Sequence, residues 1–311
     1  AVQRDTGSSV AFQAIAPHAD GRIVAAGTGF DGRRYICLAT FTAGGAPDAS
    51  FDVDGRMISR AFGTSGSVQA IIPLVDGKVV VAGSSLKTNN VLEGELLTLA
   101  RFDASGALDP TFGTSGITKI SAATGSAVLS AAARQSDGRI VVTGTGYGGM
   151  AYLARVTADG MPDATFGTNG LVTAPMSASF NAVTILGDGK ILVAGSTVGS
   201  SRDLLLVRFT AAGAIDATFG NGGMVQADLG ALWGDYGIAM AVLDNGRILV
   251  GGVSNAATGE WPGLAVARFL ADGSLDTTFG VLGKSYVAPG VGGCGPFWAL
   301  SAWGLLRREP R

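Results

Sequence analysis

Leu108-Asp109-Pro110-Thr111-Phe112-Gly113 decides the fold, because the chain writes it five times. The other copies are Asp48-Ala49-Ser50-Phe51, Asp163-Ala164-Thr165-Phe166-Gly167, Asp216-Ala217-Thr218-Phe219-Gly220 and Asp276-Thr277-Thr278-Phe279-Gly280. The phenylalanines recur every 53 to 61 residues, a period that signals a repeat architecture. Within the motif Asp109 suits a helix N-cap, Pro110 the first helical position and Gly113 a left-handed exit. A single helical turn between repeats is expected, with Phe112 as a buried plug. The aspartates Asp48, Asp109, Asp163, Asp216 and Asp276 then act as caps.

A second anchor lies upstream in every unit: Asp20-Gly21, Asp76-Gly77, Asp137-Gly138, Asp188-Gly189 and Asn245-Gly246. Asp-Gly between apolar runs predicts a hairpin with a type I′ turn. A dense β-branched run follows, such as Val79-Val80-Val81, and ends in small residues such as Ala82-Gly83. Such a run predicts a strand buried on both faces, and the small residues predict close approach of a neighbouring sheet. A third strand carries Arg101, Arg155, Arg208 or Arg268, for which the motif aspartates are plausible partners. The first unit has Thr40 there and still keeps Asp48. A short fourth strand follows Phe-Gly, as at Ile117 to Ile120 and Leu171 to Ala174.

Four short antiparallel strands per unit cannot bury both sheet faces alone, but stacked radially they can. The fold expected is therefore an all-β β-propeller of about five four-stranded antiparallel blades. One unit is expected to be split between the termini, with Lys284 to Val287 docking on the first blade to close the ring. Residues 1–290 form the propeller, and 291–311 a separate tail.

The pattern D-G-[RK]-[IV] followed by L-A-R-F-x-A-D-G-x-L-D-x-T-F-G, clearest at Leu99 to Gly113 and Val266 to Gly280, resembles the delta-60 repeat family. That resemblance implies a β-propeller in a bacterial protein of the cell envelope or exterior. It brings no catalytic residue and no ligand. The first unit departs from the pattern, with Thr40 for arginine and Asp52 for glycine.

Composition narrows the partners. Net charge is −2, 15% of residues are charged and no like-charge run occurs, so no nucleic acid is expected. No apolar stretch reaches the roughly 18 residues of a spanning helix. The two cysteines, Cys37 and Cys294, make no disulfide framework. A chain starting at Ala1 reads as having lost a leader or as a fragment. The tail joins Gly292-Gly293-Cys294-Gly295 to apolar Pro296 to Leu306 and a terminal Arg307-Arg308-Glu309-Pro310-Arg311. It reads either as an envelope sorting signal or as an amphipathic, disordered or out-of-frame end.

Catalysis is poorly supplied. His18 is the sole histidine, so a catalytic triad or multi-histidine metal site would have to run through it; a surface position beside the hairpin turn is expected instead. Gly144 to Gly149 lacks the lysine-serine and helix of a phosphate loop. Asp103 to Asp109 faintly resembles a calcium loop but is too short. The inner strands, taken as Ile117 to Ile120 and Leu171 to Ala174, carry almost no carboxylates. No enzyme, cofactor or metal is expected.

Topology supplies the functional expectation. The Asp-Gly turn and the Phe-Gly motif share one end of each blade, leaving the length-variable turns at the other. Repeat proteins often bind through such a variable face. Its candidate residues are Tyr147, Arg202, Trp233, Tyr236, Glu260 and Trp261, with Asp203 and Asp235 among the same loops. Trp233, Tyr236 and Trp261 make an aromatic cluster suited to a glycan or protein. A binding or scaffold module is the leading expectation. A polysaccharide-active hydrolase or lyase, or a structural spacer, are the alternatives.

Overall fold

The computed structural model describes residues 9–52, 54–87, 94–122, 125–199, 202–229, 234–254 and 263–287. The tail therefore lies outside the described residues. Nineteen strands form, with no α-helix among the described residues. Blade one is β1 (Ser9–Pro17), β2 (Ile23–Phe30), β3 (Arg34–Phe41) and β4 (Arg56–Ser59). Blade two is β5 (Ser67–Pro73), β6 (Val79–Leu86), β7 (Glu95–Phe102) and β8 (Ile117–Ile120). Blade three comprises β9 (Ala127–Arg134), β10 (Ile140–Gly146), β11 (Met150–Val156) and the first part of β12 (Leu171–Ile185). The rest of β12 opens blade four, with β13 (Ile191–Thr197), β14 (Leu204–Phe209) and β15 (Met224–Ala227). Blade five is β16 (Asp235–Val242), β17 (Ile248–Ser254), β18 (Gly263–Phe269) and β19 (Lys284–Val287).

Strands pair in sequence order throughout, so each blade is an antiparallel meander. Blades three and four share one seven-stranded sheet, because β12 runs 15 residues through both. The short fourth strand expected at Leu171 to Ala174 is thus only the start of a longer one. It pairs with β11 at Leu171 to Thr173 and again at Ser177, and with β13 from Ala178 onward.

The β-branched runs are buried on both faces, as expected. Val79 and Val81 pack toward blade one, while Val80 and Ala82 pack toward blade three. Four apolar cores fill the four seams between successive blades. The small residues have a different cause from the one expected. Each first strand carries a bulge opposite its neighbour, at Gln13, Gln69, Ser130, Asn181 and Ile238. The bulge pushes backbone toward a glycine of the second strand. A Cβ on Gly83 would lie 2.0 Å from the Ser67 carbonyl oxygen, and one on Gly195 1.8 Å from that of Ser179. The close approach comes from the adjacent strand of the same blade.

The Asp-Gly hairpin also differs from type I′. Gly21 has φ of +86° but Asp20 is absent from the positive-φ residues. Gly21 N–H donates to His18 O, and Arg22 N–H to Asp20 Oδ1 at 3.1 Å. This is a three-residue loop, a type I turn followed by a left-handed glycine. The carboxylate, by holding the following N–H, keeps its own residue at negative φ.

Lys284–Val287 pairs with β18 and is the fourth strand of blade five, as β8 is of blade two. Among the described residues it makes no pairing with blade one, so the expected closure of the ring by this segment is not seen. The inner strands are corrected too. β1, β5, β9, the second part of β12 and β16 lie against one another in succession, which places them innermost. β8 and the start of β12 are outer strands.

Candidate functional site

The Phe-Gly motif folds as a hydrogen-bonded turn rather than a helix. Asp109 Oδ1 accepts from the Thr111 N–H (3.0 Å) and hydroxyl (2.7 Å), and its carbonyl accepts from Phe112 N–H. Oδ2 binds Arg101 Nε at 2.8 Å and Lys78 Nζ at 3.1 Å. Both roles considered for the aspartate, capping and pairing, are therefore present. Blade one, lacking the arginine, pairs Asp48 with Arg22 at 3.2 Å.

In Arg101, Arg155 and Arg208 each guanidinium nitrogen donates a hydrogen bond. Arg101 gives Nε to Asp109, Nη2 to Thr111 Oγ1 and Nη1 to the Ala158 carbonyl of the next blade. Its guanidinium lies 4.8 Å from the Phe112 ring centre. Arg155 and Arg208 repeat the arrangement, reaching Ala211 and Ala271. Gly113 N–H donates to Asp159 O, and Gly220 N–H to Asp272 O, again across the seam. Phe51, Phe112, Phe166 and Phe219 each stack beneath a glycine of the next blade: a Cβ on Gly160 would meet Phe112 at 2.7 Å. Phe51, Phe112, Phe166 and Phe219 are at most 1% exposed, whereas Phe279 is half-buried. At the other end of the series, a Cβ on Gly45 would meet nothing within 4 Å.

The electrostatics agree with an architectural role. Burial alone would disfavour ionised Asp163, but the Thr165 hydroxyl and N–H together with Arg155 outweigh it and hold its pKa at about 2. Asp276 also sits at about 2, chiefly through the Thr278 hydroxyl. His18 is buried, not on the surface as expected. Its Nε2 meets Leu74 O at 2.6 Å, in the hairpin turn of blade two, and Nδ1 lies 2.8 Å from Asp20. The corresponding turn residues of the other blades are Leu74, Gln135, Leu186 and Leu243. Asp103 spends Oδ1 on Ser105 and on Ala107 N–H, a self-contained turn rather than a calcium loop.

The expected division of ends is seen. Lys or Arg of the Asp-Gly hairpin reaches the motif aspartate in all five blades, so both features share one end. At the opposite end the remaining turns meet. Tyr147 stands 83% exposed on the β10–β11 turn of blade three. Arg202 and Tyr236 come together over the seam of blades four and five, guanidinium 5.3 Å from the ring centre. Trp233, Glu260 and Trp261 lie outside the described residues.

The same seam gathers three carboxylates. Asp203 precedes β14, Asp228 follows β15 and Asp235 begins β16, and one oxygen from each lies within 4.8 Å of the others. Asp235 is 1% exposed. Its Oδ2 accepts from Leu229 N–H at 2.5 Å, while Oδ1 has no hydrogen-bond partner. Burial raises its pKa; Ser254 and Leu229 work against this, and the charges of Asp228 and Asp203 add to it. Sequence reasoning placed Asp203 and Asp235 in the variable loops but did not join them with Asp228. One signal was available. Counted from the bulge, the positions matching Asp235 are Val10, Gly66, Ala127 and Ala178, so a carboxylate replaces an uncharged residue. An open groove of about 1020 Å³ shares Asp228 and continues past Lys284 and Met176.

Among solved structures the chain is similar to a protein of unknown function from Bacteroides caccae. The identity is 14%, covering 91% of this chain and 88% of that one, with a TM-score of 0.49. It is also similar to a GH43 endo-arabinanase from Bacillus licheniformis (16% identity, 84% and 94% coverage, TM-score 0.43). A third is the β-propeller domain of the Trilobed protease from Pyrococcus furiosus (10% identity, 83% and 69% coverage, TM-score 0.38). None of these carries an argument about activity. No curated protein matches. No helix among the described residues is long and apolar enough to cross a membrane. The family profile described as "domain of unknown function (DUF5122) beta-propeller" matches residues 18–51, 76–112, 135–166, 186–219 and 243–279. These are the five repeats read from Phe51 to Phe279, and the chain belongs to that β-propeller family.

Proposed function

We propose that this propeller, with repeats of the delta-60 kind, is a non-enzymatic binding module of the cell envelope or exterior. Its ligand, a glycan or a protein, docks at the variable end over the seam of blades four and five. One observation carries this reading: three carboxylates and an arginine–tyrosine pair, brought by loops that differ from blade to blade, converge there. At the uniform end the motif aspartates and arginines are consumed in locking blades together. At the variable end Arg202 and Tyr236 pair beside Asp203, Asp228 and Asp235.

A polysaccharide-active enzyme is the main competitor, since it too would use carboxylates. Its pair would stand about 5–5.5 Å apart for retention or about 6.5–9.5 Å for inversion. Here oxygens of all three converge within 4.8 Å, and Asp235 is the sole carboxylate on an inner strand among the described residues. Convergence of that kind suits shared binding of one small group better than attack from two sides of a sugar.

A glycan array and a reducing-sugar release assay, run on the chain and on its Arg202→Ala, Tyr236→Ala, Trp233→Ala and Trp261→Ala variants, test the reading. Binding that these variants lose, without sugar release, supports it. Release of reducing ends would establish the enzyme, and absence of any binding would leave the spacer.

A further inference from the structure

We propose that Asp203, Asp228 and Asp235 form a binding site for a divalent cation of calcium size. Their three converging oxygens span at most 4.8 Å. Calcium binds oxygen at about 2.3–2.6 Å, so ligands on opposite sides of it stand about 5 Å apart, and the trio fits around one ion. Magnesium, at about 2.0–2.1 Å, asks for a tighter and more regular set.

The independent observation is Asp235 Oδ1, which is buried and without a hydrogen-bond partner. A buried carboxylate oxygen is costly unless paired or bound to a metal. Among the described residues no salt bridge reaches Asp203 or Asp235. Arg202 is turned over the Tyr236 ring, and Lys284 donates to the main-chain oxygen of Asp228. The scaffold holds the carboxylates in place. Asp203 N–H donates to Thr197 Oγ1 at 2.9 Å, and Asp235 N–H to Arg202 O at 2.7 Å. The repeat itself argues the same way, because the matching positions Val10, Gly66, Ala127 and Ala178 are all uncharged. A charged side chain at a position that is uncharged in the other blades breaks the local rule, and such breaks mark function.

The inference deepens the proposed function, since the ion would lie beneath the ligand, yet the ion can be tested with no ligand present. Chelator-treated chain is titrated with calcium chloride, followed by calorimetry and by thermal unfolding. Half-saturation is expected at about 10⁻⁴–10⁻³ M, the range of modest extracellular calcium sites. The unfolding temperature should rise with calcium, because the ion binds only the folded chain. Asp235→Asn should abolish that rise and, in chelator, unfold at a higher temperature than the unsubstituted chain. Asp203→Asn, at a half-buried position, should weaken binding at least about tenfold and decides the matter if Asp235→Asn does not fold. No heat and no thermal shift at about 10 mM calcium would overturn the inference, that concentration lying well above the expected range. So would an unaltered response in the variant that folds. Calcium binding with no glycan or protein ligand found would uphold the site and remove the proposed function.

Discussion

Truncating the five motif phenylalanines to alanine one at a time should not cost the same everywhere. Phe166 is fully buried, capped by the Arg155 guanidinium at 4.6 Å from the ring centre. On its other side Gly213 approaches so closely that a Cβ would lie 2.8 Å from the ring. Losing a wholly enclosed ring costs about 3–5 kcal/mol, transfer and cavity contributions together. Phe279 keeps the Arg268 guanidinium at 4.8 Å but is only half-buried. Its truncation removes less buried surface and opens its gap to solvent, so a smaller loss, about 2–3 kcal/mol, is expected. Phe112→Ala and Phe219→Ala should group with Phe166→Ala.

Urea unfolding followed by circular dichroism measures the differences, with unchanged m-values required before midpoints are compared. Equal losses at Phe166 and Phe279 would refute the reasoning. They would mean that another blade covers Phe279 in solution and that the end of the series is no end.

A matched pair of glycines separates backbone strain from contact. Gly45→Ala at φ of +83° and Gly160→Ala at +79° carry similar strain, about 1–2 kcal/mol, but only Gly160 would strike Phe112. Thermal unfolding should show Gly160→Ala to be the more destabilised by several degrees, about 1 kcal/mol or more. Asp163→Asn strands the buried Arg155 and should cost about 3–5 kcal/mol, while Asp48→Asn loses only the partly exposed Arg22, about 1 kcal/mol. Urea titration of both variants checks the order. Acid should unfold the chain from its uniform end. Asp163 and Asp276 titrate near pH 2 when folded, below an ordinary aspartate, so their stabilisation is complete above about pH 4 and is lost as pH falls toward 2. A stability profile flat from pH 4 to pH 2 would contradict this.

The repeat was legible because it rests on local chemistry. Asp-Gly, Phe-Gly and the β-branched runs each impose a turn or a buried strand whatever surrounds them, and five copies removed the ambiguity. What the sequence hid were relations between segments. Nothing local says that Ala82-Gly83 yields to a bulge in its own blade, or that His18 reaches into the turn of the next. The reversal of inner and outer strands has the same origin: a four-stranded meander reads alike from either edge, and only packing against neighbouring blades tells them apart. At the site, the variable loops were recognised as such from their disagreement. Their convergence was not, because Asp203 comes from the β13–β14 connection while Asp228 and Asp235 stand at the two ends of the β15–β16 connection.

The two ends of the molecule answer to different constraints, and that difference locates function. At the uniform end each blade must lock to the next, so Arg155 needs Asp163, Thr165, Phe166 and the Ala211 carbonyl together. A change at any one leaves a buried charge or ring unmet, which fixes the motif in every copy. The variable end carries no such lock and is free to differ from blade to blade. Freedom alone would give exposed polar loops of no consequence. Asp235 is not of that kind. It is buried and charged where its counterparts are uncharged, it has an oxygen with no donor, and it faces two further carboxylates. One oxygen serves the Leu229 N–H, but the other is buried without a donor and costs stability when the group is ionised. Its presence is accounted for by something that arrives from outside the chain with positive charge.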